Sequence, residues 1–260
     1  MKAAVEKANV RLRRALETRG SIYFGYTDVV FKYPCLCMYN AGLLAAAKLF
    51  NAAVVHVIGD SHVKPFAFRS PFLVHHISQA TAYNLNKENS FSQSKKHLNS
   101  FLGRINKERD ILLLVFGEID ARVQIYAQHR KHDGKTSIGE IIEATVARYG
   151  EVILRLVTEG FAVCIHGIPP AARENFASTL PFLGSPEQRS LISRRFNRQL
   201  GEFCHRNGVM YIDVQSVSAD EEGFMKRQYA TDAVHLNGQI VSFARGKIVE
   251  AFKGSKCLKF

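Results

Sequence analysis

The run Ile-Leu-Leu-Leu-Val-Phe at 111–116 constrains this chain more than any other stretch. An unbroken apolar run cannot sit on a half-solvated sheet, because every second side chain would face water. It belongs to a strand covered on both faces, as in a parallel sheet. Three further runs share its habit of ending in a polar loop: VVHVIG at 54–59, FAVCIH at 161–166 and VMYIDV at 209–214, with 71–76 as a shorter candidate. Helical patterns separate them at 39–50, at 92–105 with Ser92 or Ser94 as the cap, at 136–159 closed by Gly160, at 186–206 closed by Asn207-Gly208, and at 238–252. Strands alternating with helices predict an α/β chain. The expected architecture is a flavodoxin-like three-layer α/β/α sandwich on a central parallel sheet with right-handed crossovers.

Residues 51–260 carry this alternation and read as one α/β domain. Residues 1–50 read as an N-terminal helical extension of open role: a charged amphipathic helix over 2–18, then an aromatic, β-branched strand or hairpin over 21–33 with Gly25 near its turn.

Hydrophobic residues make up 47% of the 260, which excludes a disordered chain. The formal net charge is +12, yet the cations are dispersed (Arg11, Arg13, Arg14; Lys95, Lys96; Arg130, Lys131; Arg189, Arg194, Arg195, Arg198) and never form a block of five. With no nucleic-acid-binding motif, the charge predicts an anionic substrate or surface, and no nucleic-acid partner is expected. The stretch 42–57 is interrupted by Lys48, Asn51 and His56, so no membrane span is expected, and the charged residues 2–14, without an apolar core, are not expected to act as a signal peptide. Five cysteines, Cys35, Cys37, Cys164, Cys204 and Cys257, form no disulfide framework and predict a reducing, cytoplasmic location. Cys35 and Cys37 lack a second Cys or His pair at zinc spacing.

Polar residues collect in three places: Gly59-Asp60-Ser61-His62, the segment Gly117 to Arg122, and Asp232-Ala233-Val234-His235. Loops that follow different strands of one parallel sheet converge on one edge, so these segments can share a cleft. Ser61 would then be lifted out of a rigid strand end, although Gly-Asp-Ser is equally an ordinary turn. A serine hydroxyl needs an adjacent base, and His235 is the choice because Asp232, three residues earlier, can curl back to its Nδ1 proton.

In these three blocks the chain resembles the SGNH, or GDSL-like, hydrolase superfamily, in the branch written GDSH and GEID whose central block runs on to an arginine, here Arg122. The resemblance extends over about 53–252. It implies Ser61 as nucleophile, His235 as base and Asp232 as its orienting partner, with Gly59, Asp60, Gly117 and Asp120 shaping the site. It also implies an esterase, deacetylase or acyltransferase. The expected activity is removal of an O-acyl group, acetyl foremost, from a carbohydrate or related small ester, without metal or organic cofactor. The alternatives are an acyltransferase acting on a glycan and a weakly catalytic glycan-binding protein. The branch departs from the usual pattern in two places. Ile119 stands where an asparagine normally donates to the oxyanion, and no glycine occurs in the loop after 71–76. Arg122, Asn84, the backbone of His62 and the N–H of Ser78 are the substitutes available.

The remaining polar residues have plainer readings. Asp120 and Arg122 can form a structural pair, Glu118 can cap a helix or face solvent, and His56 can be a satisfied core histidine. His75 and His76 must point to opposite faces of a strand. His129, His132 and Asp133 belong to a basic, solvated loop, and Lys64 is a surface charge or a contact for an anionic substrate.

Overall fold

The computed structural model describes residues 33–174 and 181–253. The element expected over 2–18, all of that expected over 21–33 except Tyr33, and Cys257 lie outside the described residues; Tyr33 itself opens a helix. Helix α1, Tyr33–Phe50, begins ahead of the expected Tyr39, since Pro34 fits a first helical turn in which no N–H is required. Asn51 in the left-handed region (φ 49°) ends it, and the Ala52 N–H returns to the Ala47 carbonyl at 2.9 Å.

Strands β1 (Val55–Gly59), β2 (Phe72–His76), β3 (Ile111–Val115), β4 (Ala162–His166) and β5 (Met210–Ile212) form one parallel sheet in the order β2-β1-β3-β4-β5. The register sets Val57 between Val74 and Leu113, and every residue of β1 and β3 is buried. Alternate side chains enter two cores. Ile58, Leu112, Leu114 and Ile165 pack under helices α2 (Ser94–Leu102), α3 (Ile125–Lys131), α4 (Ile138–Thr158) and α5 (Pro186–Arg206), while Val55, Val57, Leu113 and Cys164 pack under α1 and the last helix, Gln239–Phe252. The three layers are those expected.

Local chemistry explains the boundaries. Ser137 with Glu140 and Ser185 with Gln188 form capping boxes at the starts of α4 and α5, and Gly160 at φ +89° follows α4. Two expectations need correction. At α2 the cap position is Gln93, while Ser94 is a buried first-turn residue that donates to the Asn84 carbonyl at 3.1 Å. The strand expected to reach Val214 stops at Ile212, because the Asp213 carboxylate accepts the Ser216 N–H at 3.1 Å and opens the short helix Val214–Ser218. No helix among the described residues is long and apolar enough to cross a membrane. Cys35 and Cys37 are free and exposed.

Sheet order puts β2 on one side of β1 and β3 on the other, so the direction of sheet growth reverses there. Open α/β sheets lodge ligands in the crevice outside the carboxyl ends of such a pair. Gly59 closes β1 against β3 so tightly that a Cβ would collide with the Val115 carbonyl oxygen and approach Val115 Cβ to 2.8 Å. The obstacle is backbone in a paired strand, which cannot yield without breaking the ladder. Gly59→Ala is therefore expected to destabilise the fold by about 3 kcal/mol or more, read as a lowered urea midpoint; an unchanged midpoint would refute the tight closure.

Candidate active site

Ser61 opens a short 3-10 turn, Ser61–Phe66, directly after β1. Asp60 caps it: its Oδ1 accepts the His62 N–H at 2.9 Å. As the first residue of the turn, Ser61 has an N–H without an intrahelical acceptor. Its Oγ is half-buried and lies 2.8 Å from His235 Nε2. His235 Nδ1 lies 2.7 Å and 2.9 Å from the two oxygens of Asp232. Asp232 Oδ1 also accepts the N–H groups of Val234 and His235 at 2.9 and 2.8 Å, so a four-residue turn presets the carboxylate and the ring together. Thr231 donates its N–H to the His235 carbonyl at 2.8 Å and fixes the turn to the chain before it.

The electrostatics suit a proton acceptor. Burial is the largest influence on His235 and lowers its pKa; the Asp232 carboxylate opposes this, and the nearby His62 and Lys64 cations reinforce it, leaving a value below the ordinary histidine range. Burial works to raise the Asp232 pKa, but the His235 hydrogen bond and the two N–H donors outweigh it and hold the carboxyl well below the usual carboxylate range.

The segment after β3 differs from its expected arrangement. Gly117 carries the chain out at φ +117°, where a Cβ would meet the Phe196 ring at 2.7 Å. Asp120 and Arg122 do not pair. Asp120 Oδ2 and Oδ1 accept the N–H groups of Ala82 at 2.7 Å and Tyr83 at 3.2 Å, tying the loop after β2 to that after β3. Burial, with the charge of Asp60, pushes its pKa up to about 7 despite those donors. Glu118 neither caps nor faces solvent: buried, it receives Arg122 Nε at 2.5 Å and the second terminal nitrogen at 3.3 Å. Four positions apart on one helical segment, the two side chains share a face, whereas Asp120 and Arg122, two apart, do not.

The proposed oxyanion substitutes fare unequally. The Arg122 guanidinium binds Glu118 and the Pro181 carbonyl and lies over the Phe182 ring, so it is committed beside the crevice. Asn84 turns back on Thr81 Oγ1 with both its backbone and side-chain N–H, at 3.2 and 3.1 Å. The His62 N–H is spent on Asp60, and Ile119 is buried. Ser78 lies in a turn closed by the Ala80 N–H on the Ile77 carbonyl, a hydrogen bond that uses neither the Ser78 nor the Gln79 N–H. Gln79 there has φ 55°, the conformation for which glycine is the usual residue, so a search for glycine could not find this turn.

Sequence reasoning missed three histidine rings at the same edge. His62 bridges Asp60 and the Val234 carbonyl. His76 ends β2 and His166 ends β4; burial drives both down to about 4 and keeps them neutral. A buried histidine after a strand carries no distinctive sequence signal. His56, by contrast, is the core residue expected, set between Asp110 Oδ2 at 3.4 Å and His75 at 2.9 Å. His75 and His76 do diverge, and His132 and Asp133 are exposed as expected, whereas His129 lies in the helix Ile125–Lys131, half-buried, with Nδ1 2.8 Å from the Thr136 carbonyl oxygen.

No protein-family model and no curated protein matches the chain. Among solved structures, a GDSL-like lipase from Bacteroides thetaiotaomicron is similar in fold: 14% identity, 84% of this chain and 97% of that chain covered, TM-score 0.50. A catalytic mutant of an acetylxylan esterase from Geobacillus stearothermophilus matches at 11% identity over 80% of this chain and 97% of that one, TM-score 0.46. Phospholipase A1 from Streptomyces albidoflavus matches at 14% over 78% and 99%, TM-score 0.44. At these identities the likeness is one of fold, and the first of the three carries it.

Proposed function

We propose that this chain is a serine-dependent ester hydrolase of the SGNH/GDSL kind, in its GDSH/GEID branch, acting through an acyl-enzyme. The observation that carries the reading is the unbroken chain Ser61 Oγ, His235 Nε2, His235 Nδ1, Asp232 Oδ2, with contacts of 2.8 and 2.7 Å. Ser61 Oγ attacks the ester carbonyl carbon while its proton passes to His235 Nε2; the C–O bond to the alcohol then breaks and the alcohol leaves with that proton. Water then gives a proton to His235 Nε2 and attacks the acyl carbon; the bond from that carbon to Ser61 Oγ breaks, the carboxylic acid leaves and the proton returns to Ser61 Oγ. Asp232 holds the ring with Nε2 free and stabilises the transient imidazolium. The N–H groups of Ser61 and of the Ser78 turn replace the absent asparagine as donors to the oxyanion. No cofactor enters these steps.

The substrate reading is an O-acyl group, acetyl foremost, on a carbohydrate or related small ester. The groove beside His235 is compatible with it, because its walls combine apolar groups, Phe182, Met225 and Val234, with polar ones, Lys226, Arg227 and Thr231, as an acyl group joined to a hydroxylated alcohol portion needs. A transferase would use the same acyl-enzyme and differ only in accepting a sugar hydroxyl in place of water. The test is intact-mass analysis after exposure to a serine-reactive phosphonate. One adduct is expected on wild type and none on Ser61→Ala. Absence of the adduct from folded wild type would overturn the reading in favour of ligand binding without catalysis.

A further inference from the structure

Both ring nitrogens of the buried His62 point at atoms that only accept. Nδ1 lies 2.7 Å from Asp60 Oδ1 and Nε2 lies 3.0 Å from the Val234 carbonyl oxygen. A neutral imidazole has one N–H and would present a lone pair to one of these oxygens, whereas imidazolium donates to both. Val234 belongs to the turn in which Asp232 is preset beside His235. The ring of His62 therefore joins the turn carrying Ser61 to the turn carrying His235, and its centroid lies 4.7 Å from that of His235.

We propose that His62, as an imidazolium, is the positioning residue that holds the His235 turn in register with Ser61, and that loss of its proton uncouples the two turns and sets the alkaline limit of Ser61 reactivity. This rests on the reading of Ser61 as nucleophile and His235 as base.

Every element packed around the ring bears on its charge. Asp60 is on its own turn, with Lys64 further along; Glu118 Oε2, after β3, stands at 3.9 Å; His76 and His166 approach from the ends of β2 and β4, and His235 from its loop. The two carboxylates favour the cation, and the three other histidines stay neutral near pH 7. Burial opposes the charge, yet Asp60 foremost, then Glu118 and the Val234 carbonyl, raise the His62 pKa to about 9. Because the folded value lies above the ordinary 6.5, the brace is complete below about pH 6.5 and is lost as pH rises through about 9. The same cation lowers the proton affinity of His235, which keeps the base free.

The experiment combines nitrogen-15 NMR of the histidine rings in wild type, Ser61→Ala and His62→Gln with the pH profile of Ser61 phosphonylation. The expected result has both His62 nitrogens protonated through pH 8, in wild type and in Ser61→Ala alike. The His235 midpoint should rise in His62→Gln. Wild-type phosphonylation should fall above pH 9, and His62→Gln should react roughly 10²-fold more slowly at pH 7.5 without that fall. A neutral His62 at pH 7, or an alkaline fall that persists in His62→Gln, would overturn the proposal. If His62→Gln does not fold, agreement between the wild-type ring midpoint and the alkaline fall supports it, and disagreement overturns it. A cationic His62 with a raised His235 midpoint in His62→Gln, but no phosphonylation at any pH, would sink the hydrolase reading while the brace stands.

Discussion

Replacement of His235 by alanine is expected to slow turnover of an activated acetyl ester by about 10⁴- to 10⁶-fold, with the fold intact. The expectation follows from the contact between His235 Nε2 and Ser61 Oγ: without the ring, the hydroxyl must lose its proton to water, and a neutral serine is a poor nucleophile. Ser61→Ala should fall to a similar floor, and the double variant should fall no further, because the two side chains act as one unit. Asp232→Asn should cost less than either. The Asp232 side chain is 53% exposed, so solvent can take over part of the stabilisation of the imidazolium. In wild type the rate should rise through a midpoint below 6.5, since burial and the neighbouring cations depress the proton affinity of His235, and the reactive form is the neutral ring. Kinetics with the activated ester, alongside circular dichroism to verify folding, measure all of this. A His235→Ala rate within tenfold of wild type would remove His235 as the base.

The legible parts of the chain are those whose physics is local. A fully apolar run ending in a glycine and a polar turn identifies a buried strand end, so the places of Ser61 after β1 and of Glu118 after β3 followed from short windows. Asp232 and His235 lie three apart in one turn, and the carboxylate that meets the ring also meets the intervening N–H groups. Parallel-sheet topology then brings distant turns to one edge without further information. Arrangements that depend on distant partners or on an unusual backbone state were not legible. Arg122 meets Glu118, four positions back on a helical segment, because Asp120, two back, cannot face it and is engaged by N–H groups of a loop that precedes it by almost forty positions. Gln79 takes a conformation its side chain disfavours, which hid the turn after β2. The role of the His62 ring was illegible because, beyond Asp60 two positions back, its other partners are the Val234 carbonyl 172 positions away and Glu118 after β3.

Glu118→Ala is expected to destabilise the fold by about 3–5 kcal/mol, the usual cost of breaking a buried ion pair from one side. The carboxylate and the guanidinium of Arg122 are almost wholly withdrawn from solvent, with side chains 10% and 8% exposed. Removing the acid leaves that cation buried beside Phe182, with Arg189 over the same ring. Burial first, and then Arg122, already lower the Arg189 pKa, so the two cations repel each other with less compensation when Arg122 loses Glu118. For a chain of this size the loss corresponds to a melting point lower by roughly 10 °C. The double variant Glu118→Leu with Arg122→Met should recover most of it, because neither charge is then stranded. Glu118 is also the second anion facing His62, at 3.9 Å. In Glu118→Gln, which keeps the side-chain shape, the His62 midpoint should therefore fall from about 9, and the alkaline limit of Ser61 reactivity should fall with it. Thermal melts of the single and double variants, read beside the pH profile of Glu118→Gln, separate the two effects. Melts unchanged by Glu118→Ala would show that the pair contributes nothing to stability, and an unmoved alkaline limit would show that it does not reach the site.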